Sequence, residues 1–318
     1  MARRGDAMDR AMGRAVLGVL LAMVLTGVWA VRPVFVAAAE SGIEPQVDHF
    51  VQGVLASERG DVERAIKEFK MVVESNPAQA EAHYNLGVLL GEKGRLDEAM
   101  VALGKATELR PKDADPHLAM GIVAGQKGDD DRATHEFIEA LKLQPDLTEA
   151  HFRLGVIYQK RNFDDMAIGQ YRATVQTDPQ HLPARSALGF LADKKGDLDE
   201  AIRQFREITT LDPRNVEGYY NLGLAYGRKS MVGLADLPMP DLLTDYNALA
   251  MEAFQKVLSW NPNHAGARYN LAITYLYQGR GDVKRAREHL EILVGLDPSL
   301  AEKLADKIEA VTSKEGAH

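Results

Sequence analysis

The chain has 318 residues, is 46% hydrophobic and 26% charged, carries a formal net charge of −8 and has no cysteine. Such a balance, with aromatics at only 7%, belongs to a folded protein and favours helix over sheet. It excludes disulfides, thiol catalysis and Cys-ligated metals, and an acidic body argues against a phosphate-backbone partner, so no nucleic acid is expected.

The first 39 residues read as a targeting segment. Arg3, Arg4, Arg10 and Arg14 precede an uncharged apolar run, Ala15 to Val31, and a basic end before an apolar stretch is the physical form of an export signal. Positive charge stays on the cytoplasmic side, so the chain beyond Val31 is expected on the extracytoplasmic, periplasmic-type side. Two readings stay open. Ala37-Ala38-Ala39 offers small residues for signal-peptide cleavage. Extension of the run through Arg32-Pro33 to Val36 would instead give an N-terminal transmembrane anchor. In either case membrane contact is expected only through this segment, with 40–45 as a linker.

From Gln46 the sequence repeats every 34 residues. Gly53, Gly87, Gly121, Gly155, Gly189 and Gly223 fall in step, followed by Ala65, Ala99, Ala133, Ala167 and Ala201, then by Pro77, Pro111, Pro145, Pro179 and Pro213. Between each Ala and Pro stands a bulky side chain: Phe69, Leu103, Phe137, Tyr171 or Phe205. A Gly inside a helix costs about 1 kcal/mol relative to Ala, so its recurrence implies close helix approach, with the Ala as the facing small residue. The bulky residue is expected to fill the gap between neighbouring hairpins, and the Pro to follow and stop the second helix. The intervening turn reads Gly60, Gly94, Gly128, Asn162, Gly196. Gly and Asn are the residues that most readily take the left-handed conformation closing a helix.

The pattern predicts repeats at 46–79, 80–113, 114–147, 148–181 and 182–215. A sixth, 216–264, carries an insertion at about 230–245, and a seventh spans 265–298. In the sixth, the Ala, Phe and Pro reappear late as Ala250, Phe254 and Pro262. The apolar stretch Met231–Leu243 inside the insertion is expected to be a loop. Residues 299–318 read as an amphipathic capping helix, marked by Leu300, Leu304 and Ile308, and a tail.

Runs such as His83-Tyr84-Asn85-Leu86-Gly87 and Tyr219-Tyr220-Asn221-Leu222-Gly223 give the chain its resemblance to the tetratricopeptide-repeat family over residues 46–298. The signature Trp is replaced by His49, His83, His117, His151, Arg185, Tyr219 and Arg268. The resemblance implies an all-α solenoid, a right-handed superhelix of antiparallel helix hairpins. The first helix of each repeat would then line a concave groove with its second, fifth, sixth, ninth, twelfth and thirteenth positions.

Three rows on that surface are candidate peptide contacts. The fifth position supplies aromatics, Tyr84, Phe152, Tyr220 and Tyr269 among them, which offer rigid contact area or fit the hairpin stack. The sixth supplies Asn85, Asn221 and Asn270, with Arg153 between. Asn both donates and accepts, so it can pair with an extended peptide backbone of any sequence. In related solenoids, including the repeat arm of the O-linked N-acetylglucosamine transferases, Asn at this place forms a peptide-holding ladder. The thirteenth changes sign along the array: Glu58, Glu92 and Gln126, then Lys160, Lys194 and Arg228. This predicts a later groove that is basic unless those charges are simply solvated.

His49, His83, His117 and His151 share one repeat position. Equivalent positions in stacked hairpins stand ~8–10 Å apart, far beyond the ~2 Å of shared metal ligation, so hairpin packing is the expectation. No metal or cofactor is expected. Phosphate-binding Gly loops, His-Glu-x-x-His and Gly-x-Ser-x-Gly are absent from the sequence, so the reading is of a non-enzyme that binds a protein or peptide partner. The foremost function is an extracytoplasmic scaffold or adaptor for envelope or secretion-complex assembly. Structural self-association, or a non-catalytic place in an enzyme complex, stays open beside it.

Overall fold

The computed structural model describes residues 48–236, 241–277 and 282–315. Among them the regular structure is helical throughout, without strand. The described residues form two compact units that divide between Glu136 and Phe137. The first unit holds α1 (His49–Glu58), α2 (Val62–Ser75), α3 (Ala80–Glu92), α4 (Leu96–Leu109), α5 (Ala114–Gln126) and the start of α6 (Asp130–Leu143). The second holds the rest of α6, then α7 (Thr148–Lys160), α8 (Asp164–Thr177), α9 (Leu182–Lys195) and α10 (Leu198–Leu211). It continues with α11 (Val216–Asp236), α12 (Asp241–Trp260), α13 (Ala265–Tyr277), α14 (Val283–Leu296) and α15 (Pro298–Glu315). Successive helices pack as antiparallel hairpins, α1 with α2 and α3 with α4 in the first unit, and α7 with α8, α9 with α10, α11 with α12 and α13 with α14 in the second.

Local chemistry sets the boundaries. Asp48 caps α1 by accepting from the Phe50 and Val51 amides at 3.0 and 3.4 Å, and Asp61, Asp197 and Asp282 cap α2, α10 and α14 in the same way. At the hairpin turns Gly60, Gly94, Gly128 and Gly196 have φ between 73° and 81°, and Asn162 has φ 62°. This is the dihedral requirement that the Gly/Asn row predicts.

Inside the hairpins the recurrent Ala residues are fully buried: Ala65, Ala99, Ala167, Ala201, Ala250 and Ala286 are each 0% exposed. The recurrent Gly faces a different residue from the one expected. A Cβ on Gly53 would lie 2.9 Å from the Phe69 ring, and one on Gly87 would lie 2.6 Å from Leu103 Cγ. Cβ atoms on Gly155, Gly189 and Gly223 would fall 2.6 Å from Tyr171, Phe205 and Phe254. The bulky side chain therefore packs across its own hairpin, onto the bare backbone of the Gly, rather than only filling the gap between hairpins. Each such ring, buried whole, contributes about 1.5–3 kcal/mol.

Phe254 keeps this pairing with Gly223 although the insertion separates them. Much of that insertion, expected as a loop, is helix at its two edges. The first helix of the interrupted repeat runs on to Asp236 and its second begins at Asp241. At the C-terminal end α15 lays Ala301, Leu304 and Ile308 against Leu276, Ala286 and Leu293, which covers the last hairpin as a capping helix should.

The expectation of a transmembrane helix is corrected. Among the described residues no helix is long and apolar enough to cross a membrane. Even the longest, α11 and α12, are interrupted by charges such as Arg228, Lys229, Glu252 and Lys256. The targeting segment 1–39, the linker 40–45 and the tip of the insertion lie outside the described residues.

Candidate binding surface

The place of the missing Trp is filled by side chains that tie each hairpin together. His49 and His117 bond through Nδ1 to the Glu68 carboxylate at 2.7 Å and the Glu136 carboxylate at 2.8 Å, and His151 Nδ1 pairs with the Gln170 side-chain amide at 2.7 Å. Arg185 reaches Gln204 at 3.1 Å in the same manner. The second ring nitrogens of His83 and His151 bond the carbonyls of Pro77 and Pro145 at 3.0 and 2.9 Å, and Arg185 Nε donates to that of Pro179 at 2.8 Å. These imidazoles are committed to packing the repeats, and among the described residues no group of three or more His, Asp and Glu is placed to hold a metal.

In the first unit the predicted groove positions converge. Tyr84 and Asn85 line a cavity of about 220 Å³ together with Val54, Ser57, Val62, Phe69, Val88 and Leu89. Glu58 and Glu92 stand on its wall. Desolvation raises the Glu92 carboxyl above the usual carboxylate range, against a smaller opposing effect of Lys93. Desolvation also raises the Tyr84 hydroxyl, with Asp115 and Asp113 adding to the effect. Among the described residues neither Glu58 nor Glu92 forms an ion pair. Lys93, next in the chain, is paired with Glu63 at 3.4 Å.

In the second unit most of the predicted contacts already have partners. Phe152 leans on Tyr171 at 5.9 Å and on the His181 ring at 4.5 Å between centroids, and burial holds the His181 imidazole below its ordinary pKa. Tyr220 packs between Phe254 at 6.1 Å and His264 at 4.6 Å, while Tyr269 lies half-buried against the C-terminal cluster. Asn270 donates to the Gly266 carbonyl at 2.8 Å and to the Tyr220 hydroxyl at 3.3 Å. Asn221 is 7% exposed, and its amide has no bond among the described residues. Arg153 donates to Glu149 at 2.6 Å, yet its Nη2 is buried without an acceptor.

The basic row is neutralised where it can be followed. Lys194 pairs with Asp164 at 2.5 Å and Arg228 pairs with Asp193; Lys160 is engaged as well. One position further on, Lys127 meets Asp97, Lys195 meets Asp165, and Lys229 meets Asp199 at 2.8 Å. These last three ties join a lysine of one repeat's first helix, or the residue capping it, to the first turn of the preceding second helix, and so link neighbouring hairpins.

Sequence reasoning missed the cavity and its apolar walls, Val54, Val62, Val88 and Leu89. A signal for its rim was present. Thirty residues before Lys194 stands Asp164, whereas thirty before Glu92 stands Val62. The acid of the second repeat thus has an apolar neighbour where its later counterpart has an ion-pair partner.

The fold agrees with comparisons to known proteins. Tetratricopeptide-repeat family models match residues 50–116, 118–181 and 253–288, and a TPR-repeat model matches 194–230. The C-terminal part of a TPR repeat-containing protein from Cytophaga hutchinsonii has a TM-score of 0.62 at 16% identity, covering 81% of this chain and 98% of that one. A tetratricopeptide repeat protein from Parabacteroides merdae has a TM-score of 0.50 at 18% identity, with 82% and 97% covered. YrrB, described as a TPR protein with an unusual peptide-binding site, is 25% identical with a TM-score of 0.52, over 63% of this chain and 95% of its own. No curated protein matches the chain. Proteins of this kind are scaffolds, not catalysts. The Gly–aromatic hairpins, the left-handed turns and the matched family models together show that this chain belongs to the tetratricopeptide-repeat family.

Proposed function

We propose that this chain is an exported scaffold that holds an extended polypeptide segment on the first-helix face of its repeats. The observation that carries the reading is the convergence of Tyr84, Asn85, Val88 and Glu92 on one cavity. A segment crossing it would meet an amide able to donate and accept, with apolar walls below. In the second unit, taken by itself, Asn221, whose amide has no partner among the described residues, is a separate candidate for a backbone contact. Tyr220, Phe152, Arg153, Tyr269, Asn270, Lys160, Lys194 and Arg228 are further proposed contacts of the second unit, most of them through groups that already hold partners within it. The likeness to YrrB, whose description includes a peptide-binding site, supports the same reading. The basic end and apolar run of residues 1–39 support export, with release after Ala39, and the role so placed is assembly of an envelope or secretion complex.

Cross-linked pull-downs from the native membrane fraction test the binding reading. Asn85→Ala/Asn221→Ala is expected to lose the partners that wild type recovers. Asn270→Ala, whose amide is already committed to Gly266 and Tyr220, is expected to lose fewer. Equal recovery by the double variant would sink groove binding. Mass spectrometry of the mature N-terminus tests the release step: a chain beginning at Glu40 is expected, and a retained Met1 in the native cell would contradict cleavage after Ala39.

A further inference from the structure

We propose that the cavity between the first and second repeats is a pocket for one bulky apolar side chain flanked by a lysine or arginine, so that the segment this scaffold holds is a basic-apolar one. The inference rests on the groove reading and names the chemistry of its occupant.

Size comes first. About 150 Å³ suffices to hold benzene, so 220 Å³ takes a branched aliphatic or aromatic side chain. It lies below the ~300–1,000 Å³ of small-molecule sites. The floor and walls, Val54, Val62, Phe69, Val88 and Leu89, are apolar. The rim decides the neighbour. Glu58 and Glu92 both line the cavity, one from each repeat, and among the described residues neither forms an ion pair, Lys93 acting on Glu92 only as the smaller effect. Several other acids of the unit are already paired: Glu63 with Lys93, Asp97 with Lys127, Glu98 with Arg95 and Lys70. A carboxylate partly out of water, as Glu92 is, gains from an arriving cation and resists an arriving anion. Asn85, on the same wall, is free to bond the segment's backbone.

A random dodecapeptide display library selected on the full chain, and in parallel on Glu58→Gln/Glu92→Gln, tests this. Both Glu side chains face solvent, so the variant is expected to melt cooperatively like wild type. Wild type is expected to enrich peptides with an apolar residue beside Lys or Arg. A synthetic peptide of the enriched sequence should bind the double variant at least tenfold more weakly. It should lose as much on wild type when its own cation is replaced by Glu, and that difference should shrink at high salt. Enrichment of acidic-apolar peptides, or affinity unchanged in the double variant, overturns the proposal. Peptides that depend on Asn221 but ignore Glu58 and Glu92 would leave groove binding standing while this inference falls. Failure to enrich any peptide would remove both.

Discussion

The second and fifth repeats use the same helical frame and treat charge in opposite ways. At the thirteenth position Lys194 is held by Asp164 at 2.5 Å, whereas Glu92 stands over a cavity with Val62 where Asp164's counterpart would be. One region therefore uses its charge to join hairpins, and the other keeps it unpaired. The sign of a side chain on a repeat surface says little about recognition until the residue one hairpin back is known.

That contrast can be broken or sharpened by substitution. The largest effect concerns the shared frame. Phe205→Ala and Phe69→Ala are each expected to cost about 3–5 kcal/mol in urea unfolding, since both rings are buried against a hairpin Gly. Only the second, whose ring lines the cavity, should also change peptide binding among whatever fraction stays folded. Next, Gly87→Ala should cost about 1–3 kcal/mol by overpacking, because the new Cβ meets Leu103 Cγ at 2.6 Å. Gly104→Ala, with nothing within 4 Å, should gain up to about 1 kcal/mol; equal shifts for the two would undo the packing account. Lys194→Ala removes an ion pair whose lysine is 58% exposed, so thermal melts should move by less than about 1 kcal/mol.

The smallest effect bears on Glu92 directly. Its carboxyl is raised in the folded chain, so the native state binds more protons than the unfolded one through the carboxylate range. Stability attributable to this group then falls as pH rises through that range. Glu92→Gln should melt slightly higher than wild type at pH 7, and the gap should close below about pH 4, where the unfolded carboxyl is also protonated. A gap that persists in acid would point to packing instead of charge.

Much of the frame was legible because it depends on single-residue chemistry. The left-handed turn at Asn162 follows from the few residues that tolerate φ near 62°, and the 0% exposure of Ala99 and Ala201 follows from a recurring small side chain. The partner of the recurrent Gly was not legible. Periodicity tells which residues recur but not which face each other, and the seat of Leu103 on Gly87 is a property of the packed hairpin. The helical edges of the insertion were missed because Met231–Asp236 was read by its apolar content, although no helix breaker intervenes before Pro238 apart from Gly233. For the candidate site the legible part was the set of positions: Tyr84 and Asn85 do share a cavity wall. The commitments of Asn270 to Gly266 and of Lys194 to Asp164 were hidden, since they depend on helix spacing and rotamer. The cavity itself comes from a gap, and a gap has no residue to announce it.

The bonds from His83, His151 and Arg185 to the carbonyls of Pro77, Pro145 and Pro179 latch three of the hairpins to the linker just behind them. A chain built this way carries mechanical load link by link. Stretched from its two ends, it should give way one hairpin at a time, each rupture releasing about 11 nm of contour as 34 residues straighten at ~3.3–3.6 Å apiece. A scaffold that fails in such small steps could lengthen under tension while its remaining links keep hold of their cargo.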